Sequence, residues 1–122
     1  MTQTQPASYE IVFLVRPDVS TEQVKNITKR FETLVGTQNG TIIKTEDWGL
    51  RTLSYIMRKH QKAYYTMIGA NMPGTAVSEI ERQMNISDDI IRFQIVRVDS
   101  ISTEPSVMLK GRRDDDETEF QS

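Results

Sequence analysis

Two segments of this chain repeat apolar residues at helical spacing, and short runs of β-branched and aromatic residues flank each of them. That order constrains the fold more than any single motif. Tyr9 to Val15, YEIVFLV, has the composition and length of a buried strand, and Pro17 closes it. Ser20 then stands as an N-cap, with Gln23 completing a capping box. Val24, Ile27, Phe31, Leu34 and Val35 share one helical stripe, which Asn39-Gly40 ends. Thr41 to about Met57 reads as a second, unusually long strand, interrupted at Gly49 where a bulge or bend fits. Arg58 to Gln61 is a turn, and Lys62 to Met72 returns as a third strand. After the Pro73-Gly74 loop, Thr75 caps a shorter helix that keeps Val77, Ile80 and Met84 on one face. Ser87-Asp88-Asp89 turns the chain into a fourth strand, Ile90 to Val98.

The order β-α-β-β-α-β describes an α+β chain of ferredoxin-like topology, with two helices on one face of a four-stranded antiparallel sheet. The other face then has no cover. If Tyr9, Ile11, Phe13 and Val15 point at the helices, Val12 and Leu14 point away, and Tyr65 and Met67 do the same on the third strand. Such an apolar open face is expected to be a partner surface; the ordinary alternative is the scattered apolar exposure that every protein carries. A length of 122 residues supports one domain. It divides into a flexible N-terminus (1–7), a body (8–99) and an extended, largely disordered C-terminal tail (100–122) ending in an acidic run.

The net charge of −2 hides an uneven distribution. Residues 114–122, DDDETEFQS, hold five acids and no base, so residues 1–113 carry 15 bases against 12 acids. Residues 1–104 balance at 12 against 12, and bulk charge gives no argument for nucleic acid. The local pattern does. From Arg51 to Lys62 every charge is positive, and Arg51, Arg58, Lys59 and Lys62 alternate with Tyr55, His60, Tyr64 and Tyr65. Cations can meet phosphates and rings can stack on bases. The competing reading is a solvated turn whose lysines keep a sheet edge from aggregating. Arg92 and Arg97 fall on opposite faces of the fourth strand.

Catalytic and metal chemistry find little here. There is no cysteine, which removes disulfides, thiolate metal sites and cysteine nucleophiles and suits a reducing cytoplasm. His60 is the only histidine and lacks the companions of a metal site or a base–nucleophile pair. Glu46 and Asp47 are neighbours on a strand and point to opposite faces. The loop RPDVS offers Arg16 but no glycine to close the backbone around an anion, so acyl-phosphate hydrolysis has no cradle. Neither cofactor nor small-molecule substrate is expected. No apolar run approaches the ~20 residues of a membrane span, and MTQTQPAS lacks the pattern of a secretory signal.

Several spaced motifs resemble the bacterial small-subunit ribosomal protein six family. They are Tyr9-Glu10-Ile11-Val12 with Arg16-Pro17-Asp18, then Glu46-Asp47-Trp48-Gly49, then Arg51, Leu53, Tyr55 and Ile56. Lys62-Ala63 with Tyr65 and, lastly, Asp89, Ile91 and Arg92 complete the set. The resemblance runs in order over about residues 8–110. It implies a ferredoxin-like fold without enzyme activity, located on the cytoplasmic ribosome. It also implies a heterodimer with small-subunit ribosomal protein eighteen that binds the central domain of small-subunit ribosomal RNA, with protein eighteen covering part of the open sheet. Arg51, Tyr55, Lys62 and Arg92 match family positions and are expected at RNA or partner. Arg58, Lys59 and His60 join them on charge alone, as do Tyr64 and Arg97 by placement. The alternative from another class is a free-standing ligand-binding or regulatory domain that uses the same sheet face.

Overall fold

The computed structural model describes residues 6–57 and 59–106, the side chains of 54–57 excepted. Readings that concern residues 1–5 and 107–122, the Tyr55 side chain and Arg58 lie outside the described residues. The elements are β1 (Pro6–Val15), α1 (Thr21–Thr37), β2 (Thr41–Met57), β3 (His60–Pro73), α2 (Thr75–Ile86) and β4 (Ile90–Val98). The strands form one antiparallel sheet in the order β2-β3-β1-β4, the ferredoxin-like arrangement read from the periodicities.

Local chemistry sets the starts and stops. The Ser20 hydroxyl accepts the Gln23 N–H at 3.1 Å, and the Gln23 side chain accepts the Ser20 N–H at 3.1 Å, so two orphan donors of α1 are satisfied reciprocally. α1 ends where Asn39 takes a φ of 67°, a left-handed conformation that asparagine tolerates. The second helix differs from its reading. Gly74, not Thr75, occupies the N-cap position and makes no side-chain cap, because the chain enters α2 directly from the Pro73-Gly74 corner. The hairpin between β2 and β3 is also tighter than Arg58–Gln61: Met57 already pairs with His60, and Lys59 turns the chain with a φ of 69°.

The helix-side core gathers Ile11, Phe13 and Val15 of β1, Ile68 and Met72 of β3, Phe31 and Val35 of α1, and Ile80 and Met84 of α2. Phe13 and Phe31 meet with ring centroids 5.9 Å apart and planes tilted by 47°. Each such side chain contributes about 1.5–3 kcal/mol on burial.

The opposite face is not the bare surface that the alternation suggested. Leu14, Tyr65 and Met67 are buried there with Trp48, Leu53 and Ala63, and Val12 and Ile91 pack against them. The expectation of an uncovered face formed by Val12, Leu14, Tyr65 and Met67 is therefore corrected; of the four, only Val12 keeps partial exposure. Two features of the chain itself supply the cover.

The first is the irregular register of β2, which shifts between Ile42 and Lys44, between Asp47 and Gly49, and again between Thr52 and Met57. Gly49 has a φ of 82°, and the Asp47 carboxylate accepts its N–H at 2.9 Å. Beyond this bulge, Gly49 faces Tyr65 and Arg51 faces Ala63, which folds Trp48 and Leu53 over the sheet. The second is the segment after β4. Ile101 sits on Gly69, where a Cβ would stand 2.9 Å from its Cγ2 atom, so only glycine leaves this seat open. The Lys44 ammonium then donates to the Glu104 carbonyl at 2.7 Å, and Ser106 reaches Glu46 on β2. Residues 99–106 thus cross the sheet as a strap from the β4 edge to β2, where the sequence pattern had suggested an extended tail.

Candidate nucleic-acid interface

β1 pairs with β3 only as far as Val15 opposite Tyr64, whereas β2 and β3 pair on to Thr52 opposite Lys62 and, after a register shift, meet again at Met57 opposite His60. The end of this hairpin therefore projects past the central strand. Lys59 and Lys62 are exposed on it and His60 is half-buried. These three are the candidate residues that the structure brings together.

The others are dispersed. Arg51 is buried at 6% exposure, and its Nε–H donates to the Trp48 carbonyl at 2.9 Å. Its guanidinium is thus tied to the backbone beside the Gly49 bulge and is buried in this chain. Tyr64 is half-buried and packs on the helix-side core. Arg92 is half-buried opposite Leu14, on the helix-free face. Arg97 is exposed opposite Tyr9, on the helix side and toward the far end of the sheet. Tyr9 and Val15 bound that separation, about 20 Å at the ~3.3 Å rise of a strand residue. The two arginines do lie on opposite faces, as their spacing required.

A densely hydrogen-bonded polar group among the described residues is Glu46, which the sequence placed in a motif beside Asp47 but not at a site. Glu46 is 5% exposed. Its carboxylate accepts the Trp48 indole N–H at 2.8 Å, the Ser106 N–H at 3.0 Å and the Ser106 hydroxyl at 2.6 Å, and it lies 3.3 Å from the Lys44 ammonium. Burial pushes this carboxyl's pKa up. The Ser106 hydroxyl, the Trp48 indole, the Ser106 amide and Lys44 outweigh burial and hold it below the usual carboxylate range. The sequence signal was slight, a Lys-x-Glu-x-Trp run on one strand, and Ser106 lies 60 residues away.

Arg16, considered for anion binding, is committed elsewhere: it bridges Asp18 at 2.9 Å and Asp89 at 2.8 Å. Open clefts among the described residues include one of about 350 Å³ beside Ser8, Asn71 and Arg97, one of about 200 Å³ between α1 and β2 beside Lys29, Asp47 and Thr66, and one of about 210 Å³ beside Asn85, Ile91 and Arg92. None of the three includes Lys59, His60 or Lys62. Among the described residues no group of three or more His, Cys, Asp or Glu side chains is placed to hold a metal ion. No described helix is long and apolar enough to cross a membrane. The arrangement presents a projecting cationic hairpin on a rigid sheet, beside a face that is half closed. The accessible remainder of that face includes Val12, Gln94 and Val96.

A family model described as ribosomal protein S6 matches residues 8–97. Small ribosomal subunit protein bS6 of Parvibaculum lavamentivorans is 45% identical over 108 residues, spanning 88% of this chain and 70% of that protein. The bS6 protein of Methylorubrum extorquens is 44% identical over 108 residues, spanning 88% and 72%. The crystal structure of 30S ribosomal protein S6 from Thermotoga maritima superposes with a TM-score of 0.74 at 28% identity, covering 77% of this chain and 89% of that one.

Proposed function

The chain belongs to the ribosomal protein S6 family of the small ribosomal subunit, and from that premise we propose that it binds the central domain of small-subunit ribosomal RNA as a heterodimer with small-subunit ribosomal protein eighteen. The family is a structural one of the ribosome and not an enzyme family. The observation that carries the RNA half of the reading is the hairpin beyond Val15, which holds Lys59 and Lys62 clear of the body. A projecting pair of ammonium groups can enter a groove or approach a backbone that a flat sheet cannot reach.

The partner half rests on charge and on the accessible part of the helix-free face. Residues 1–104 carry no net charge, so few counterions are released when this chain meets RNA alone, and its own affinity is weak. A basic partner supplies what is missing. Val12, Gln94 and Val96 on β1 and β4, with Arg92 beside them, are the surface offered to it, since Leu14, Tyr65 and Met67 are already covered. This reading places the protein on the ribosome in the cytoplasm.

The test measures binding of a central-domain RNA fragment to this chain, to protein eighteen, and to the two together. The pair is expected to bind at least tenfold more tightly than either component. Tight, salt-insensitive binding by this chain alone contradicts the proposal.

A further inference from the structure

The helix side of the sheet is not filled evenly. Phe13, Thr66 and Asp47 lie in line across β1, β3 and β2, because Thr66 stands opposite both of the others. Phe31 seats α1 on Phe13, with ring centroids 5.9 Å apart, and β2 is an edge strand. The helix therefore covers the middle of the sheet and leaves a cleft of about 200 Å³ between itself and β2. At ~30 Å³ for each water molecule, that is room for roughly six waters or one small organic molecule.

The groups around this space are unevenly satisfied. Thr66 lines it, and the buried Thr66 hydroxyl has no hydrogen-bond partner among the described residues. A polar atom left in that state costs stability until something bonds to it. Lys25 and Lys29 line the cleft from one turn of α1 to the next, both are exposed, and no ion pair among the described residues engages either. From the β2 side, one Asp47 oxygen accepts the Gly49 N–H at 2.9 Å. One Glu32 oxygen accepts the Thr45 hydroxyl at 2.5 Å. Each carboxylate keeps a second oxygen for a further donor. The Thr28 hydroxyl is bonded to the Val24 carbonyl at 2.9 Å, so these two residues add apolar wall.

We propose that the cleft binds a small zwitterion, an α-amino acid with a short aliphatic side chain. Its carboxylate meets Lys25 and Lys29, its ammonium group meets Asp47 with Glu32 beside it, and its side chain lies on Val24 and Thr28. The charges select this class. A bare anion meets two carboxylates together with the two ammonium groups, and a bare cation meets the same mixture, whereas both ends of a dipolar ligand find opposite charge. The Thr66 hydroxyl both donates and accepts, so it can complete either end. A competing closed state has Lys29 swung onto Asp47. Exposed pairs of that kind contribute little, and a ligand displaces one at small cost. The cleft lies on the helix side and contains no hairpin residue, so this activity is separate from RNA contact.

The full chain is titrated with L-valine while its backbone amides are followed by NMR. A ligand of so few atoms is expected to bind in the high-micromolar to millimolar range. Saturable shifts should appear at amides from Val24 to Glu32, at Thr45 to Asp47 and at Thr66, and not at Lys59 or Lys62. Acetate and isobutylamine, each with one of the two charges, should bind at least about tenfold more weakly. Lys25→Ala with Lys29→Ala should also lose about tenfold, as should Asp47→Asn, which keeps an acceptor for the Gly49 N–H but not the charge. Thr66→Val is the sharpest variant: it should raise the urea midpoint of the free chain and weaken L-valine about tenfold, opposite signs that a purely structural hydroxyl would not produce. Absence of saturable shifts with L-valine overturns the proposal and leaves a cleft that holds water alone or closes on itself. Acetate binding as tightly as L-valine overturns it in favour of a bare anion. Unchanged L-valine affinity in a Thr66→Val chain of raised midpoint overturns it too, because the chain is then folded and the hydroxyl lies outside the site.

Discussion

Replacing Glu46 with alanine tests how the helix-free face is closed. The carboxylate is 5% exposed and receives three hydrogen bonds, at 2.6, 2.8 and 3.0 Å, with the Lys44 ammonium 3.3 Å away. In the alanine variant Ser106 can turn to water once the strap lifts, but the Trp48 indole N–H and the mostly buried Lys44 ammonium both lose this acceptor. Hydrogen bonds to a charged group contribute about 1.5–3 kcal/mol each, and breaking one partner out of a buried pair costs about 3–5 kcal/mol. A loss of about 3–5 kcal/mol is therefore expected, a fifth or more of the ~5–15 kcal/mol available to a small domain. At ~4–8 °C per kcal/mol this lowers Tm by roughly 12–40 °C. Trp48 is the only tryptophan, so urea unfolding followed by its fluorescence reads both stability and the state of the strap. The sign with pH follows from the depressed carboxyl: the native chain keeps this stabilisation above the usual carboxylate range and loses it as the pH falls through the lower folded value. The alanine variant lacks that acid-sensitive component. A variant within about 0.5 kcal/mol of the parent, with unshifted Trp48 emission, refutes the latch.

Thr66 is 1% exposed, and its hydroxyl has no hydrogen-bond partner among the described residues. Thr66→Val replaces an unsatisfied polar atom with a methyl group and should stabilise by about 1 kcal/mol in the same urea assay, whereas a loss of that size would reveal a bond the hydroxyl makes. Gly49→Ala meets no atom within 4 Å but forces a side chain onto a φ of 82°, so it should cost about 1 kcal/mol from backbone strain alone; no change in urea midpoint would show that the bulge relaxes. Arg82 and then Gln83 hold the Glu79 carboxyl down to about 2. An NMR titration should find its midpoint there and see it rise toward the ordinary range in Arg82→Ala; any stability this pair adds is present above the ordinary range and lost as the pH falls toward about 2.

The fold was legible where periodicity and caps carry local information. The Ser20–Gln23 capping box and the α1 stripe could be read directly, and β2 and β4 begin and end where turn residues place them. What escaped depends on partners far apart in the chain. Residues 101–106, ISTEPS, show no pattern because their seat is a missing side chain at Gly69 and one carboxylate at Glu46. Arg51 looked like part of a cationic surface because it opens a run in which every charge is positive; the bulge read at Gly49 is present, but its effect on where the Arg51 side chain points was not legible from the run. The same irregular register of β2 turned the apolar open face into a second small core. Of the cationic cluster, Lys59, His60 and Lys62 share the hairpin end because turn residues fix its position, whereas Arg97 belongs to the other end by strand register alone.

The hairpin's role is tested most directly by the salt dependence of RNA binding. The complex of this chain with protein eighteen is measured against the same complex carrying Lys59→Ala and Lys62→Ala. If both ammonium groups neutralise phosphates, the slope of log affinity against log salt becomes shallower by about 2, close to one unit for each phosphate left without its ammonium, while Trp48 emission and Tm stay as in the parent. An unchanged slope means that RNA does not touch this hairpin.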